Sequence, residues 1–272
     1  MNIKVTIAGA AGRMGRALIH GMQLDHLESL SLCGAFERSG HPDIGKDAGH
    51  LCGIGELGIP LTDSIEKSAQ HADVIIDFTS PASTLENCHW ASENGKALVI
   101  GTTGLSEEDI GLIRQAAARI PVVMAPNMSL GVNLLFSLVR QAAAALKDKG
   151  YDVEIIERHH RRKKDAPSGT AIGLGKAVAT GFDWNLAKVA VDGRTGVAKE
   201  ERPIEQIGFH AVRGGDIVGD HTVLFATEGE CIELSHRATT RDTFAMGALQ
   251  SAFWVAGQKP GLYSMMDVLG LT

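Results

Sequence analysis

The chain has 272 residues, of which 44% are hydrophobic and 21% charged, and its formal net charge is −6. This composition is typical of a soluble globular protein, and the negative charge argues against nucleic acid or an acidic membrane as a partner. No signal peptide or membrane span is visible, and four scattered cysteines without a CxxC pair predict reduced, buried thiols in the cytoplasm and no metal site.

The first half of the chain alternates apolar strands with helical patterns. The predicted strands are "IKVTIAG", "SLSLCGAFE", "ADVIIDFT", "KALVIGTT" and "IPVVMAPN". The predicted helices are "RMGRALIHGMQL", "PASTLENCHWASENG" and "SEEDIGLIRQAAARI", with Pro81 and Ser106 suited to start the last two. Apolar strands joined by helices predict an α/β fold with a Rossmann-type parallel sheet. The glycine-rich residues 41–60 are interpreted as a loop.

The pattern changes after Asn127. A long helix, "SLGVNLLFSLVRQAAAALKD", is followed by the strand "YDVEIIERHH" and the helix "SGTAIGLGKAVATG". Residues 203–239 alternate like an antiparallel sheet, and "TRDTFAMGALQSAFWVAG" is a final helix. We therefore predict a dinucleotide-binding domain of residues 1–128 plus 241–272, with an inserted α+β domain of residues 129–240.

A glycine-rich turn follows the first strand. Gly9, Gly12 and Gly15 would allow a tight turn and close approach of the backbone to a pyrophosphate, although such a turn can also simply connect strand to helix. Its position in a βαβ unit favours a nucleotide site. Glu37, which ends the second strand, can bond ribose hydroxyls, and Arg38 can meet a 2′-phosphate. We therefore expect both NADH and NADPH to be accepted.

The segment "ERHHRRKKDAPSGTA", residues 157–171, concentrates the chemistry. His159 ends a strand, and a histidine can transfer a proton near neutral pH. Lys163 offers a positive charge for a carboxylate, or a second proton. Ser168 is a predicted helix cap, so the amides of Gly169 and Thr170 form a site suited to a carboxylate.

The alternative interpretation of this segment is a solvated cationic loop. It is the preferred one for Arg158, Arg162 and Lys164. Histidines later in the chain are interpreted as structural, and the tryptophans as core or interface residues; these are His210, His221, His236, Trp90, Trp184 and Trp254.

Several motifs together resemble one family. "VTIAGAAGRMGRAL", "AFER", "DVIIDFT", "VIGTTG", "EIIERHHRRKKDAPSGTA", "GDIVGDHTVLFA" and "IELSHRA" are similar to the 4-hydroxy-tetrahydrodipicolinate reductase (dihydrodipicolinate reductase) family. The resemblance implies an NAD(P)H-dependent oxidoreductase of the diaminopimelate route to lysine, acting on a cyclic dicarboxylate. It also implies a cytoplasmic homotetramer built through the sheet of the inserted domain.

The resemblance also implies the roles of individual residues. It makes His159 the proton donor and acceptor and Lys163 a proton donor. The coenzyme contacts are Gly9, Ala10, Ala11, Gly12, Arg13, Met14, Glu37, Arg38, Gly101, Thr102, Thr103, Ala125, Pro126, Asn127 and Met128, and the substrate contacts are His160, Gly169 and Thr170. Ser80 departs from the arginine that some members carry near the coenzyme phosphate, and "APNM" replaces "AANF".

Two other functions are weighed against this one. A redox-sensing regulatory protein could keep the dinucleotide fold without turnover, but the intact histidine, lysine and Ser-Gly-Thr set argues against it. A nucleic-acid-binding protein could use residues 158–164, but the acidic remainder of the chain opposes it. The basic segment is therefore interpreted as a site for an anionic substrate.

Overall fold

The computed structural model describes residues 2–23 and 29–271, and the chain divides into two compact units. The first unit comprises Met1–Leu130 and Asp242–Thr272, and the second comprises Gly131–Arg241. Among the described residues, none of the helices is long and apolar enough to span a bilayer.

The first unit is a parallel sheet with helices. Its described strands are β1 (Ile3–Ala8), β2 (Leu30–Phe36), β3 (Leu61–Thr62), β4 (Val74–Asp77), β5 (Ala97–Ile100), β6 (Pro121–Met124) and β12 (Gly261–Tyr263). Its described helices are α1 (Arg13–Gly21), α2 (Ala48–Cys52), α3 (Ile65–Ala69), α4 (Pro81–Glu93), α5 (Glu107–Ala117), α9 (Asp242–Val255) and α10 (Met265–Val268). The strand order is β12-β6-β5-β4-β1-β2-β3, and every pairing is parallel.

Burial explains why these strands read as continuous apolar runs. Every residue of β4 and β5 is buried, as expected of strands covered on both faces. Pro81 occupies the first turn of α4, and Ser106 caps α5 through a reciprocal capping box with Asp109. The predicted helix starts at Pro81 and Ser106 and the Rossmann-type parallel sheet are confirmed.

The second unit is a mixed sheet with helices. Its described strands are β7 (Asp152–His159), β8 (Ala190–Asp192), β9 (Ile207–Arg213), β10 (Gly219–Thr227) and β11 (Glu230–Ala238), in the order β11-β10-β7-β9-β8. Its helices are α6 (Leu130–Leu146), α7 (Gly169–Phe182) and α8 (Leu186–Val189). Val153 and Ile155 of β7 pack in one cluster with Leu174, Val178 and Phe225.

The prediction of an antiparallel sheet over residues 203–239 is partly wrong. β10 pairs antiparallel with β7 and β11, but β9 runs parallel to both β7 and β8. Gly214 and Gly215 follow β9 directly, but they do not close a hairpin with β10, because β7 lies between these two strands. Alternation reports which side chains are buried, and it is the same for either strand direction.

Residues 41–60 are more ordered than the predicted loop. They contain α2, and the Asp47 carboxylate accepts backbone N–H bonds from Gly49, His50, Leu57 and Ile59. These bonds, led by the one from Leu57, lower the pKa of Asp47 to about 2. This segment, which has no apolar pattern, is therefore held in place by hydrogen bonds to the Asp47 carboxylate.

Smaller corrections concern the cysteines and the first helix. Of the four thiols only Cys88 is buried, whereas Cys33 and Cys52 are partly exposed and Cys231 is exposed. Burial raises the pKa of Cys88 to about 11. The predicted end of the first helix at Leu24 lies outside the described residues.

Candidate functional site

The glycine-rich turn between β1 and α1 has no room for side chains. Gly9 has φ of +65°, a conformation that glycine adopts at little cost. A Cβ on Gly15 would lie 2.4 Å from the Gly9 carbonyl oxygen, and one on Gly12 would lie 3.0 Å from the same atom. The two glycines thus let the turn close on itself, as a backbone cradle for a phosphate group requires.

Glu37 is tied to this turn. One oxygen of its carboxylate accepts the backbone N–H of Ala11 at 3.2 Å, and the other accepts that of Arg38 at 3.2 Å. A cavity of about 630 Å³ adjoins the carboxylate and is lined in part by Gly9, Gly12, Glu37, Arg38 and Ser80. The predicted phosphate and ribose contacts are therefore brought together in one cavity.

The ends of β4, β5 and β6 form the next part of the first unit. Gly101 packs against Phe78, since a Cβ there would lie 2.1 Å from its ring. Thr102 is buried and donates its hydroxyl to Asp77 at 3.3 Å, while Thr103 is exposed. A second cavity, of about 220 Å³, is lined by Met14, Phe78, Pro126, Asn127, Met128 and Phe244.

Asp77 is a polar residue of this region that sequence reasoning missed. It is fully buried, and its carboxylate also accepts bonds from the Thr79 amide and hydroxyl and from the Asn87 side-chain amide. Its signal in the sequence was an acid directly after the apolar run "VII". The carboxylate holds the β4–α4 turn and Thr102 in place.

The remaining predicted coenzyme residues take different positions in the turn region. Ala10 is buried, and Arg13 and Met14 open α1, with Arg13 exposed. Ala125 is buried directly after β6. A cradle that a Cβ would fill, followed by an acid directly after β2, fits a nicotinamide dinucleotide.

His159 is the last residue of β7 in the second unit. It is 8% exposed, and its Nδ1 lies 2.5 Å from Oε2 of Glu157. The buried Glu157 carboxylate also accepts both terminal nitrogens of Arg213 at 2.7 Å. Burial raises the pKa of Glu157, but the bonds from Arg213 and His159 outweigh it, so the pKa lies below its usual value. The carboxylate is therefore charged and fixes the imidazole.

His160 and Lys163 follow the strand. Partial burial, reinforced by the nearby charge of Arg241, lowers the pKa of His160. The Lys163 ammonium lies 2.8 Å from the Asp165 carboxylate and its side chain is 21% exposed. Arg162 and Lys164 are exposed, whereas the Arg158 guanidinium lies 3.3 Å from the buried Asp220 and is not simply a solvated cation.

The start of α7 is capped as predicted. The Ser168 hydroxyl oxygen accepts the Ala171 N–H at 3.2 Å, which confirms Ser168 as the N-cap and places Gly169 and Thr170 in the first turn. The same hydroxyl lies 3.1 Å from Nε2 of His221. Burial, and then the adjacent His159, lower the pKa of His221 to about 4, so this imidazole is neutral at pH 7 and can accept the Ser168 proton.

Glu157 and Arg213 are the principal residues that sequence reasoning missed in this unit. The signal for Glu157 was its spacing of two from His159, which puts both side chains on one face of β7. Arg213 carried no local signal, because its contact with Glu157 spans 56 positions.

Known proteins are similar to this chain along nearly its whole length. Family models of the N-terminus and the C-terminus of dihydrodipicolinate reductase match residues 3–128 and 131–269. The 4-hydroxy-tetrahydrodipicolinate reductase of Thiobacillus denitrificans is 51% identical over 271 residues, covering 100% of both chains. That of Geotalea daltonii is 49% identical over 269 residues, covering 99% of each.

A solved structure agrees with these relatives. The dipicolinate-bound dihydrodipicolinate reductase from Paenisporosarcina sp. TG-14 superposes with a TM-score of 0.77 at 25% identity, covering 98% of this chain and 99% of that one. The glycine turn, the acid after β2 and the parallel sheet, together with these relatives, define a nicotinamide-dependent oxidoreductase. More particularly, the chain belongs to the dihydrodipicolinate reductase family.

Proposed function

We propose that His159 and Lys163 handle the protons in the family's reaction, the NAD(P)H-dependent reduction of 4-hydroxy-tetrahydrodipicolinate to tetrahydrodipicolinate. This reaction belongs to the diaminopimelate route of lysine biosynthesis. The observation that carries the proposal is the His159 imidazole at the rigid end of β7, bonded through Nδ1 to the buried Glu157 carboxylate. That arrangement leaves Nε2 for proton transfer.

The proposed chemistry assigns one task to each group. A bound reduced nicotinamide would supply the hydride for ring carbon 4, where the hydroxyl group of the substrate is lost as water. His159 gives a proton to the carbanion or enamine that hydride addition creates. Lys163 supplies either the proton that leaves with the hydroxyl as water, while the proton from His159 replaces the one lost from the ring in that elimination, or the charge that balances a substrate carboxylate.

The substrate is proposed to bind through its two carboxylates. His160, Lys163 and the first-turn amides of Gly169 and Thr170 offer a cation and helix-end donors within one short segment. Charge-assisted bonds of this type suit a small cyclic dicarboxylate, the class of ligand bound to the similar solved structure. The basic segment thus serves an anionic small molecule and not a nucleic acid.

For the coenzyme, we propose contacts by the turn residues 9–14, by Glu37 and Arg38, and by residues 101–103 and 125–128. Glu37 offers a carboxylate to the ribose hydroxyls of NADH, and Arg38 can offset its repulsion of the NADPH phosphate. Ser80 lines the same cavity and adds no second cation. These opposing effects favour acceptance of both NADH and NADPH.

The two units are proposed to divide the work. The first unit would bind the coenzyme, and the second would bind substrate and build a homotetramer through its sheet. Support for the assembly comes from the sheet itself, where β11 is largely exposed and a cavity of about 370 Å³ lies beside Ile156, Thr222 and Ser235. A cytoplasmic location agrees with a biosynthetic reaction that uses reduced nicotinamide.

The test is the rate of NADH and NADPH oxidation with freshly prepared 4-hydroxy-tetrahydrodipicolinate. We expect turnover with both coenzymes and less than about a hundredfold discrimination, because each imbalance of about 1.4 kcal/mol is only a factor of ten. Arg38→Ala should raise KM for NADPH and leave that for NADH nearly unchanged, with Arg114→Ala on α5 as the control. No oxidation with either coenzyme would overturn the proposed function, and equal losses in Arg38→Ala would overturn only the phosphate contact.

A further inference from the structure

A single buried carboxylate lies behind the proposed acid–base residue. The Glu157 side chain is 1% exposed and accepts four hydrogen bonds, two from Arg213, one from the His159 ring and one from the Ser168 backbone N–H at 3.1 Å. A charge buried this deeply is stable only when its partners are in place. The carboxylate and its three partners are therefore a rigid group.

This group determines which nitrogen of His159 carries the proton. An ionised carboxylate can only accept hydrogen bonds, so the Nδ1 atom at 2.5 Å must be the donor. The other ring nitrogen, Nε2, lies over Gly219, where an added Cβ would stand 3.3 Å away. The neutral imidazole consequently presents an unprotonated Nε2, and the protonated one presents an Nε2–H that it can give away.

The same carboxylate also holds the start of α7. Glu157 Oε1 accepts the Ser168 N–H, and the Ser168 hydroxyl caps the helix whose first turn contains Gly169 and Thr170. Other groups that surround the His159 ring are His221, with ring centroids 5.0 Å apart in an edge-on contact, and the neighbouring His160. Among them, Glu157 alone carries a negative charge.

We propose that Glu157, clamped by Arg213, is a positioning residue that fixes the tautomer and direction of His159 and ties it to the carboxylate-binding start of α7. Glu157 acts through His159 and does not touch the substrate. The inference rests on the proposed function of His159, and it adds two residues to that site. It also gives a role to the buried pair of Glu157 and Arg213, which are 56 positions apart in the chain and lie beside the end of β7.

The experiment uses the full chain carrying Glu157→Gln. The amide keeps the size of the side chain but can donate to Nδ1 and select the opposite tautomer. We expect kcat to fall at least about tenfold, a part of the ~10²–10⁴-fold that general acid–base catalysis contributes. The limb of the kcat/KM profile set by the imidazole should move to lower pH, while KM for the coenzyme stays unchanged.

The matched control is Glu154→Gln, three residues earlier on the opposite face of the same strand. It removes a carboxylate that also binds arginines and a histidine, so we expect it to lower Tm and leave the pH limb in place. An equal pH shift in both variants, or none in Glu157→Gln, would overturn the proposal. If Glu157→Gln does not fold, the double variant Glu157→Gln/Arg213→Met removes the buried carboxylate together with its partly buried partner charge, and it is expected to show the same shift in pH.

A measurement without turnover separates this inference from the proposed function. Long-range ¹H–¹⁵N NMR of the unmodified protein should show His159 with its proton on Nδ1, and Glu157→Gln should change that tautomer. Observing the Nε2–H tautomer in the unmodified protein would contradict the inference whether or not the substrate is reduced. Conversely, the Nδ1–H tautomer in a protein that turns over no substrate would reject the proposed function alone.

Discussion

Two clusters with almost the same side chains lie on opposite faces of β7. On one face Glu157 binds His159 and Arg213, and on the other Glu154 binds His210, Arg194 and Arg202. The Glu157 side chain is 1% exposed and that of Glu154 is 17% exposed. A carboxylate, a histidine and an arginine in contact therefore do not by themselves identify a functional site.

Position and space distinguish the two clusters. His159 ends its strand next to the capped start of α7, whereas His210 lies within β9 and is paired in register with Ile156. We call the cluster around Glu154 the outer cluster and the one around Glu157 the inner cluster. The outer cluster is packed so tightly against β9 that a Cβ on Gly208 would be 1.8 Å from Glu154 Oε2. The outer cluster joins β7, β9 and the segment after β8. The inner cluster instead presents the imidazole of His159 to the region that we propose binds substrate.

The largest expected effect breaks the comparison between the two histidines. His159→Gln should lower kcat by about 10²–10⁴-fold, the range typical of a general acid–base residue, with little change in coenzyme binding. His210→Gln should change kcat by less than about threefold, since among the described residues its imidazole is bonded to Glu154 alone. Steady-state rates and coenzyme titrations of the two variants check this. A loss below about tenfold in His159→Gln, or similar losses in both, would remove the functional distinction.

The next effect concerns the binding of a dicarboxylate by Lys163, which follows the end of β7 at His159. Lys163→Ala should weaken competitive inhibition by dipicolinate about 10- to 150-fold, because it removes a charged hydrogen bond worth roughly 1.5–3 kcal/mol. Lys164→Ala is the matched control, since this neighbouring lysine is exposed and has the same charge. The inhibition constants decide the matter: an unchanged constant in Lys163→Ala, or equal changes in both variants, would rule out a carboxylate contact by Lys163.

The comparison also shows which parts of the site a sequence can reveal. The end of β7 at His159 and the Ser168 cap were predictable, because a strand end and a helix cap depend on neighbouring residues. The parallel sheet was predictable for the same reason, since each fully buried strand is an apolar run. The bond from Arg213 to Glu157 was not, because it requires β9 to lie parallel beside β7, with His159 opposite Arg213. Strand alternation does not specify that direction, and the antiparallel interpretation was accordingly wrong for β9.

Asp47 and Asp77 teach the same lesson in the first unit. Each organises a loop or turn by accepting several hydrogen bonds from residues that carry no apolar pattern. In the sequence Asp47 lies in a polar stretch and Asp77 ends an apolar run, and acidic residues are most often solvated. Only the folded chain shows that these two are central acceptors.

The smallest effect sharpens the structural role of the outer cluster through its response to acid. Burial raises the pKa of Glu154, but the bonds from Arg194, His210 and Arg202 outweigh it and lower the pKa to about 2, against 4.5 for an unperturbed glutamate. A group whose folded pKa is depressed stabilises the protein above its unfolded pKa, and this stabilisation is lost as pH falls from 4.5 to about 2. Glu154→Gln should therefore lower the free energy of unfolding at pH 7 by about 1–3 kcal/mol. The free energy of unfolding of Glu154→Gln should also fall less steeply than that of the unmodified protein as pH drops through this window.

Denaturant titrations at fixed protein concentration, with the exposed Glu200→Gln as control, measure both quantities. Parallel curves for Glu154→Gln and the unmodified protein would mean that the outer cluster does not stabilise the fold through the charge of Glu154.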